Sequence, residues 1–183
     1  MRVITGSARG RKLKTLEGGD IVRPTTDKVK EAMFSIVHFE LEDAAVLDAF
    51  AGSGQLGIEA LSRGARKAYF LDANKKAFET VKENLKTTNL FDRAVVLNTD
   101  TLSFLNGTKE RFDVVLLDPP YQKGLVGSAL PLLSRCCNLN ALVVCETDVS
   151  EDLPDSAGAL QKQRVYKYGK TKLTTYRKQE ETV

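Results

Sequence analysis

Residues 44–57, AAVLDAFAGSGQLG, decide the fold of this chain. An apolar run predicts a short buried strand that ends in the carboxylate of Asp48. Gly52, Gly54 and Gly57 follow in the pattern G-x-G-x-x-G, and a helix is predicted from Gln55. Glycines at such a strand-to-helix turn let the backbone approach a ligand closely. We therefore expect a nucleotide-type ligand at this turn rather than a turn that is only structural.

Outward from this turn, strands and helices alternate. This order predicts right-handed crossovers and a mostly parallel sheet covered by helices on both faces. The predicted strands are 44–48, 67–71, 94–97, 112–117 and 141–146, and the helices are 55–63, 74–87, 101–105 and 125–136. Two further β-type runs, 161–168 and 171–178, join through Gly169 and Lys170 as an antiparallel hairpin. We divide the chain into an N-terminal extension, 1–43, and a sheet region, 44–183, that form one domain. The extension carries a short hairpin of 2–5 with 11–16 and a helix from Asp27.

Acidic residues stand at three successive strand ends: Asp48, Asp72 and Asp100. A dinucleotide would place its pyrophosphate against the glycine loop, where the carboxylate of Asp48 is unfavourable. S-adenosylmethionine (SAM) carries an ammonium and a sulfonium instead, and Asp48 suits these cations. Asp72 is expected to bind the ribose hydroxyls and Asp100 the adenine amino group. A nicotinamide-dependent oxidoreductase remains a more distant alternative.

The sequence Asp118-Pro119-Pro120-Tyr121 follows the predicted strand 112–117. In an open α/β sheet the carboxyl ends of the strands form the ligand-binding edge. Asp118 and the carbonyl of Pro119 can each accept an N–H from an amino group, and the ring of Tyr121 can stack on a planar base. A Pro-Pro turn capped by an aspartate is the structural alternative.

Both ends of the chain are basic. Residues 1–16 and 161–178 hold 12 of the 27 basic residues and no acidic one, whereas the rest carries 24 acidic against 15 basic residues. This distribution predicts phosphate contacts, with candidates Arg9, Arg11, Lys12, Lys170 and Lys172. Three interleaved tyrosines, at 166, 168 and 176, face the core or stack on bases, and we favour nucleic-acid contact. Three unpatterned cysteines and the absence of an apolar signal segment predict a cytoplasmic protein without a metal, and no apolar run is long enough for a membrane helix.

The chain resembles the RsmD-like guanine-N2 methyltransferases of bacterial 16S ribosomal RNA, within the class I SAM-dependent methyltransferases. The resemblance rests on residues 6–13 (GSARGRKL), 23–31 (RPTTDKVKE), 48–65 and the Asp-Pro-Pro-Tyr sequence, and it covers nearly the whole chain. It implies a Rossmann-like, mostly parallel seven-stranded sheet with the last strand antiparallel, and SAM as methyl donor.

The resemblance also implies site residues. Asp118, Pro119, Pro120 and Tyr121 would be catalytic. The residues expected to bind the cofactor are Arg23, Thr25, Asp48, Phe50, Ala51, Gly52, Ser53, Gly54, Asp72, Ala73, Asp100, Thr101 and Asp118.

The expected function is therefore transfer of a methyl group from SAM to the exocyclic N2 amine of a guanine in 16S rRNA or a small-subunit assembly intermediate, by a monomer. Guanine rather than adenine comes from the resemblance alone. One alternative is an adenine-N6 or cytosine-N4 DNA methyltransferase, because the same tetrapeptide serves those amines, although little of the chain is left over to read base edges. Another is a non-catalytic RNA-binding module that keeps the methyltransferase fold.

Overall fold

The chain folds around one mixed β-sheet. The computed structural model describes residues 1–16, 27–120 and 124–180 of the chain. The strands are β1 (Ala45–Asp48), β2 (Lys67–Asp72), β3 (Ala94–Asn98), β4 (Phe112–Leu117), β5 (Cys137–Asp148), β6 (Ser156–Ala157), β7 (Leu160–Tyr168) and β8 (Thr171–Lys178). The helices are α1 (Asp27–Val37), α2 (Gln55–Ser62), α3 (Lys75–Thr88), α4 (Thr101–Gly107) and α5 (Leu125–Cys136), with short 3-10 helices at His38–Glu40 and Phe91–Arg93.

The strand order is β3-β2-β1-β4-β5-β8-β7-β6. The first five strands are mutually parallel, and β8 is antiparallel to β5. This confirms the predicted Rossmann-like α/β fold with a C-terminal antiparallel hairpin. The sheet has eight strands rather than seven because β6, only two residues long, pairs with the start of β7 across Gly158.

Alternate residues of the central strands enter two separate core layers, because successive side chains of a strand point to opposite faces. Val46, Val114 and Val144 pack in a cluster with α1, α2, α3 and the N-terminal residues. Their neighbours Leu47 and Val115 pack in a second cluster with α4 and α5. The sheet is therefore covered on both faces, as the alternation of elements predicts.

The N-terminal hairpin is shorter than the sequence predicts. Arg2 and Lys12 form a single isolated bridge. The backbone N–H of Val3 still donates across the hairpin to the carbonyl of Arg11, at 3.0 Å. The N–H groups of Ile4 and Thr5 instead donate to the buried carboxylate of Glu59 on α2, at 2.8 and 2.9 Å. Since these donors are used by Glu59, they do not extend a strand ladder.

Glu59 also pairs with two cations. The ammonium of Lys30, itself fully buried on α1, lies 3.3 Å from the Glu59 carboxylate. Arg63 donates to Glu59 from one helical turn away, at 2.9 Å. Burial lowers the pKa of Lys30, while the neighbouring Glu59 opposes this effect. This network fastens the N-terminal residues and α1 to the helix that follows the glycine loop.

Over the described part of the chain, no helix has the length and hydrophobicity needed to cross a bilayer. The same residues bring together no group of three or more histidine, cysteine or carboxylate side chains that could hold a metal ion.

Candidate active site at the carboxyl edge of the sheet

Four aspartates lie at one edge of the sheet. Asp48 and Asp72 are the last residues of β1 and β2, while Asp100 and Asp118 closely follow β3 and β4. Because these strands are parallel and adjacent, their carboxyl ends meet at the same edge. The structure therefore brings together the strand-end acids singled out from the sequence.

Asp48 is the most unusual of the four, being 1% exposed. Its Oδ2 accepts the backbone N–H of Gly57 at 2.9 Å, whereas Oδ1 has no hydrogen-bond partner among the described residues. Burial raises the pKa of the Asp48 carboxyl to about 7 against the lowering effect of the Gly57 N–H, and Asp118 and Asp72 raise it further. A buried oxygen of this kind is a strong acceptor for a cation or donor.

The glycine loop is held by Asp72. Its Oδ2 accepts the N–H of Gly52 at 2.9 Å, and its Oδ1 accepts the N–H of Asn74 at 2.8 Å. Gly52 and Gly54 have φ of 53° and 79°, a region that favours glycine. A Cβ on Gly52 would meet no described atom within 4 Å, so open space borders the loop there.

The third glycine has a packing role. A Cβ on Gly57 would lie 2.3 Å from Cε1 of Phe70, which is buried on β2. Only a glycine therefore lets α2 pack this closely against the sheet. The close contact fixes the helix whose first turn follows the loop.

Asp100 caps helix α4. Its Oδ1 accepts the N–H of Ser103 at 2.8 Å, and the residue is exposed. The hydroxyl of Thr101 donates to the carbonyl of Ala49 in the buried turn after β1. Asp100 thus has a structural role, and its Oδ2 is the oxygen left for the predicted adenine contact.

The other predicted cofactor residues differ in exposure. Phe50 and Gly52 are half-buried, Ala73 is exposed, and Ala51, Ser53 and Gly54 are buried. The Ser53 hydroxyl lies 3.7 Å from the sulfur of Met1, and its carbonyl accepts from Asn84 at 2.8 Å. Ser53 therefore makes contacts within the protein.

The Asp-Pro-Pro corner follows β4 as predicted. Asp118 is half-buried, Pro119 is buried and Pro120 is exposed. Three further predicted site residues, Arg23, Thr25 and Tyr121, lie outside the described residues. Glu146, a carboxylate that is 3% exposed near the end of β5, is a further candidate that was not predicted from the sequence. Its position at the end of a predicted strand was the available signal.

The basic candidates divide into two groups. Arg9, Lys12 and Lys170 are exposed, and the exposed Arg11 donates to the carbonyl of Thr87 at 2.8 Å. Lys172, by contrast, is 7% exposed and its ammonium lies 3.8 Å from Asp152. The structure thus gives Lys172 a buried position unlike that of the other candidates.

The tyrosines of the C-terminal hairpin face the protein. Tyr176 is fully buried, and its hydroxyl donates to the carbonyl of Pro154 at 2.6 Å. Tyr166 and Tyr168 are half-buried against the first core cluster. Base stacking by Tyr176 was thus the wrong expectation. β8 lies between β5 and β7, and successive residues of β8 are buried, so both of its faces are covered.

The chain has a class I SAM-dependent methyltransferase fold. This class is defined here by the strand order, the antiparallel pairing of β8 with β5, the glycine loop and the acidic residues at one edge of the sheet. The chain belongs to the RsmD family, whose model, described as "Conserved hypothetical protein 95", matches residues 1–177.

Relatives of known name agree with this assignment. YlbH of Bacillus subtilis (strain 168), provisionally described as an rRNA methyltransferase, is 42% identical over 97% of this chain and 99% of its own length. Ribosomal RNA small subunit methyltransferase D of Haemophilus influenzae is 40% identical over 84% of this chain and 81% of its own length. The solved structure of yhhF from Escherichia coli, provisionally described as a methyltransferase, is 32% identical over 98% of both chains, with a TM-score of 0.87.

Proposed function

We propose that this protein transfers a methyl group from SAM to the exocyclic N2 amine of a guanine in bacterial small-subunit (16S) ribosomal RNA. The observation that carries this proposal is the Asp118-Pro119-Pro120 corner, which lies beside the buried carboxylate of Asp48 at one edge of a methyltransferase sheet. Relatives named ribosomal RNA small subunit methyltransferase D support the choice of substrate.

The residues at this edge fit SAM. The cofactor supplies an activated methyl group on a positively charged sulfur, together with an ammonium group. Asp48 offers a cation one buried oxygen that has no hydrogen-bond partner among the described residues. A Cβ on Gly52 would meet no described atom within 4 Å, which leaves room for a ligand against the loop. Asp72 already fixes the loop through Gly52 and retains lone pairs that can accept ribose hydroxyls. The carboxylates also disfavour the pyrophosphate of a dinucleotide at this place.

Asp118 and the carbonyl of Pro119 act on the target amine. The lone pair of this nitrogen is delocalised into the guanine ring, which makes it a weak nucleophile. Two hydrogen-bond acceptors favour a pyramidal nitrogen and stabilise the positive charge that develops on it during transfer. Holding the amine at attack distance supplies a further part of the acceleration. A strong base is not required, because the proton can leave after the methyl group has been transferred.

The base has to leave its stack to reach this corner. Stacking on Tyr121 stays a prediction, since that residue lies outside the described chain. Exposed Arg9, Lys12 and Lys170 are the proposed phosphate contacts, and Arg11 joins them through its exposed guanidinium. We leave Lys172 out of this surface because it is buried. Action as a cytoplasmic monomer without a metal likewise stays a prediction.

The test is transfer of label from methyl-labelled SAM to three substrates: naked 16S rRNA, small subunits with their proteins, and duplex DNA. We expect label in RNA, recovered as N2-methylguanosine after digestion. Asp118→Ala should lose transfer, whereas the exposed Asp92→Ala serves as the matched control. Label only in DNA would replace the proposal with the adenine or cytosine alternative, and SAM binding without any transfer would indicate a non-catalytic module.

A further inference from the structure

We propose that Glu146 determines the specificity for guanine by accepting the N1–H of the base whose N2 amine is held by Asp118 and Pro119. This inference rests on the proposed function and deepens it. It assigns to a residue of this chain the choice of guanine over adenine and cytosine.

The strand register brings Glu146 next to Asp118. In the parallel pair of β4 and β5, Leu116 lies opposite Val144 and Leu117 opposite Cys145. Asp118 directly follows Leu117 and Glu146 directly follows Cys145, so the two residues come immediately after the last paired position of β4 and β5. Neighbouring strands are about 4.8 Å apart, so the two residues begin from adjacent backbone positions at the edge of the sheet.

The alternation of side chains puts both residues on the same face. Leu116 and Val144 pack in the first core cluster, and two residues further along their strands come Asp118 and Glu146. Val46 is in the same cluster and is followed two residues later by Asp48. Three carboxylates, Asp48, Asp118 and Glu146, therefore lie at or near the carboxyl ends of the adjacent strands β1, β4 and β5.

Glu146 is held firmly in this position. Glu146 belongs to β5, a strand of 12 residues that is paired with β4 on one side and with β8 on the other. In the pair with β8, Glu146 lies opposite Leu173. The residue is only 3% exposed. A hydrogen-bond acceptor that is fixed on a central strand and shielded from water discriminates strongly between bases. A base that presents another acceptor to it leaves both polar groups without a hydrogen bond, because no water can reach them.

Base chemistry explains what such an acceptor selects. On guanine the N2 amine stands beside the N1–H, so two donors are adjacent on one edge. On adenine and cytosine the exocyclic amine stands beside a ring nitrogen that is itself an acceptor. In its ionised form a carboxylate can only accept hydrogen bonds. In this form Glu146, beside the amine-binding corner, suits guanine and opposes the other two bases.

The test compares guanine with 2-aminopurine, which keeps the amine at position 2 but has an acceptor at N1. Once the methylated nucleotide has been located, RNA carrying either base at that position is prepared by ligation. For the wild-type protein we expect kcat/KM to be about 100-fold higher with guanine than with 2-aminopurine. With 2-aminopurine the charge-assisted hydrogen bond to Glu146 is lost, and the buried carboxylate is left without a donor. In Glu146→Gln the amide can donate to N1 of 2-aminopurine, so this ratio should fall by roughly 10-fold or more.

A change in this ratio separates specificity from stability, because a general loss of folding lowers both rates equally. Glu110→Gln, which removes an exposed carboxylate, is the matched control and should keep the wild-type ratio. SAM affinity and the melting temperature of each variant are measured alongside.

The inference is overturned if the wild-type ratio is close to one, or if Glu146→Gln keeps the wild-type ratio while it binds SAM normally. Should that variant fail to fold, the wild-type ratio alone decides. A wild-type protein that makes no N2-methylguanosine would instead overturn the proposed function.

Discussion

Replacing Asp48 with asparagine should stabilise the free protein at alkaline pH while weakening its binding of SAM. The wild-type carboxyl is buried with one oxygen lacking a partner among the described residues. In Asp48→Asn the amide oxygen can still accept the N–H of Gly57, and no charge has to be buried. The same substitution removes the anion that we propose for a cofactor cation.

The magnitude follows from proton linkage. Burial raises the pKa of Asp48 from 3.8 to about 7. The folded protein therefore holds this proton at pH values where the unfolded chain has already released it. Stability is lost as the pH rises from about 4 to about 7, and the loss is complete above that range. At about 1.36 kcal/mol for each tenfold change in proton affinity, the full loss is on the order of 4 kcal/mol.

The variant escapes this loss but buries an amide N–H₂ group, at a cost of about 1–3 kcal/mol. We therefore expect Asp48→Asn to be more stable than wild type by about 1–3 kcal/mol at pH 8.5. Near pH 5 the difference should be smaller or reversed, because there the wild-type carboxyl is protonated in the folded state. The difference between variant and wild type cancels the titration of groups that do not interact with Asp48, whereas Asp118 and Asp72 do interact with it.

Urea denaturation at pH 5 and pH 8.5 measures these free energies of unfolding, with Asp92→Asn as an exposed control. Calorimetric titration at the same pH values measures SAM affinity. Wild-type affinity should increase as the pH rises through about 7, where Asp48 ionises, and the affinity of the variant should be weaker and lack this dependence. If the free energies of unfolding of variant and wild type change in parallel with pH, Asp48 does not titrate as described. If the variant binds SAM as wild type does, Asp48 does not bind a cofactor cation.

Three further outcomes are expected. Asp118→Ala should lower the rate of methyl transfer by at least about 100-fold with an almost unchanged SAM dissociation constant, and near-normal turnover would remove Asp118 from the chemistry. Asp72→Ala should weaken SAM binding by about 10-fold or more, because it loses both a ribose acceptor and the anchor of Gly52, and an unchanged dissociation constant in calorimetry would exclude its ribose role. Lys12→Ala and Lys170→Ala should each reduce the salt dependence of RNA binding by about one in the log-log slope, and slopes equal to wild type would place the RNA elsewhere.

Much of the fold was predictable because the central strands are short apolar runs bounded by polar residues. The predicted bounds of β4, α5 and β8 agree with the structure. The start of β5 was missed since Asn138 and Asn140 interrupt the apolar pattern there. β6 was missed because two residues carry no periodicity.

The placement of the strand-end acids was also predictable, since parallel strands share one carboxyl edge. What the sequence could not supply was the position of β8 between β5 and β7. Alternation along a strand separates two faces but does not say which of them is covered. For this reason the burial of Lys172 and Tyr176 was not foreseen, and the position of Glu146 beside Asp118 required the register.

The identity of the nucleoside that the wild-type protein methylates tests the proposed guanine-N2 activity. Small-subunit RNA is incubated with methyl-labelled SAM, digested to nucleosides and separated by chromatography with mass detection. We expect the label to elute as N2-methylguanosine. Label in N6-methyladenosine or N4-methylcytidine, or no label in RNA, would contradict the proposed activity.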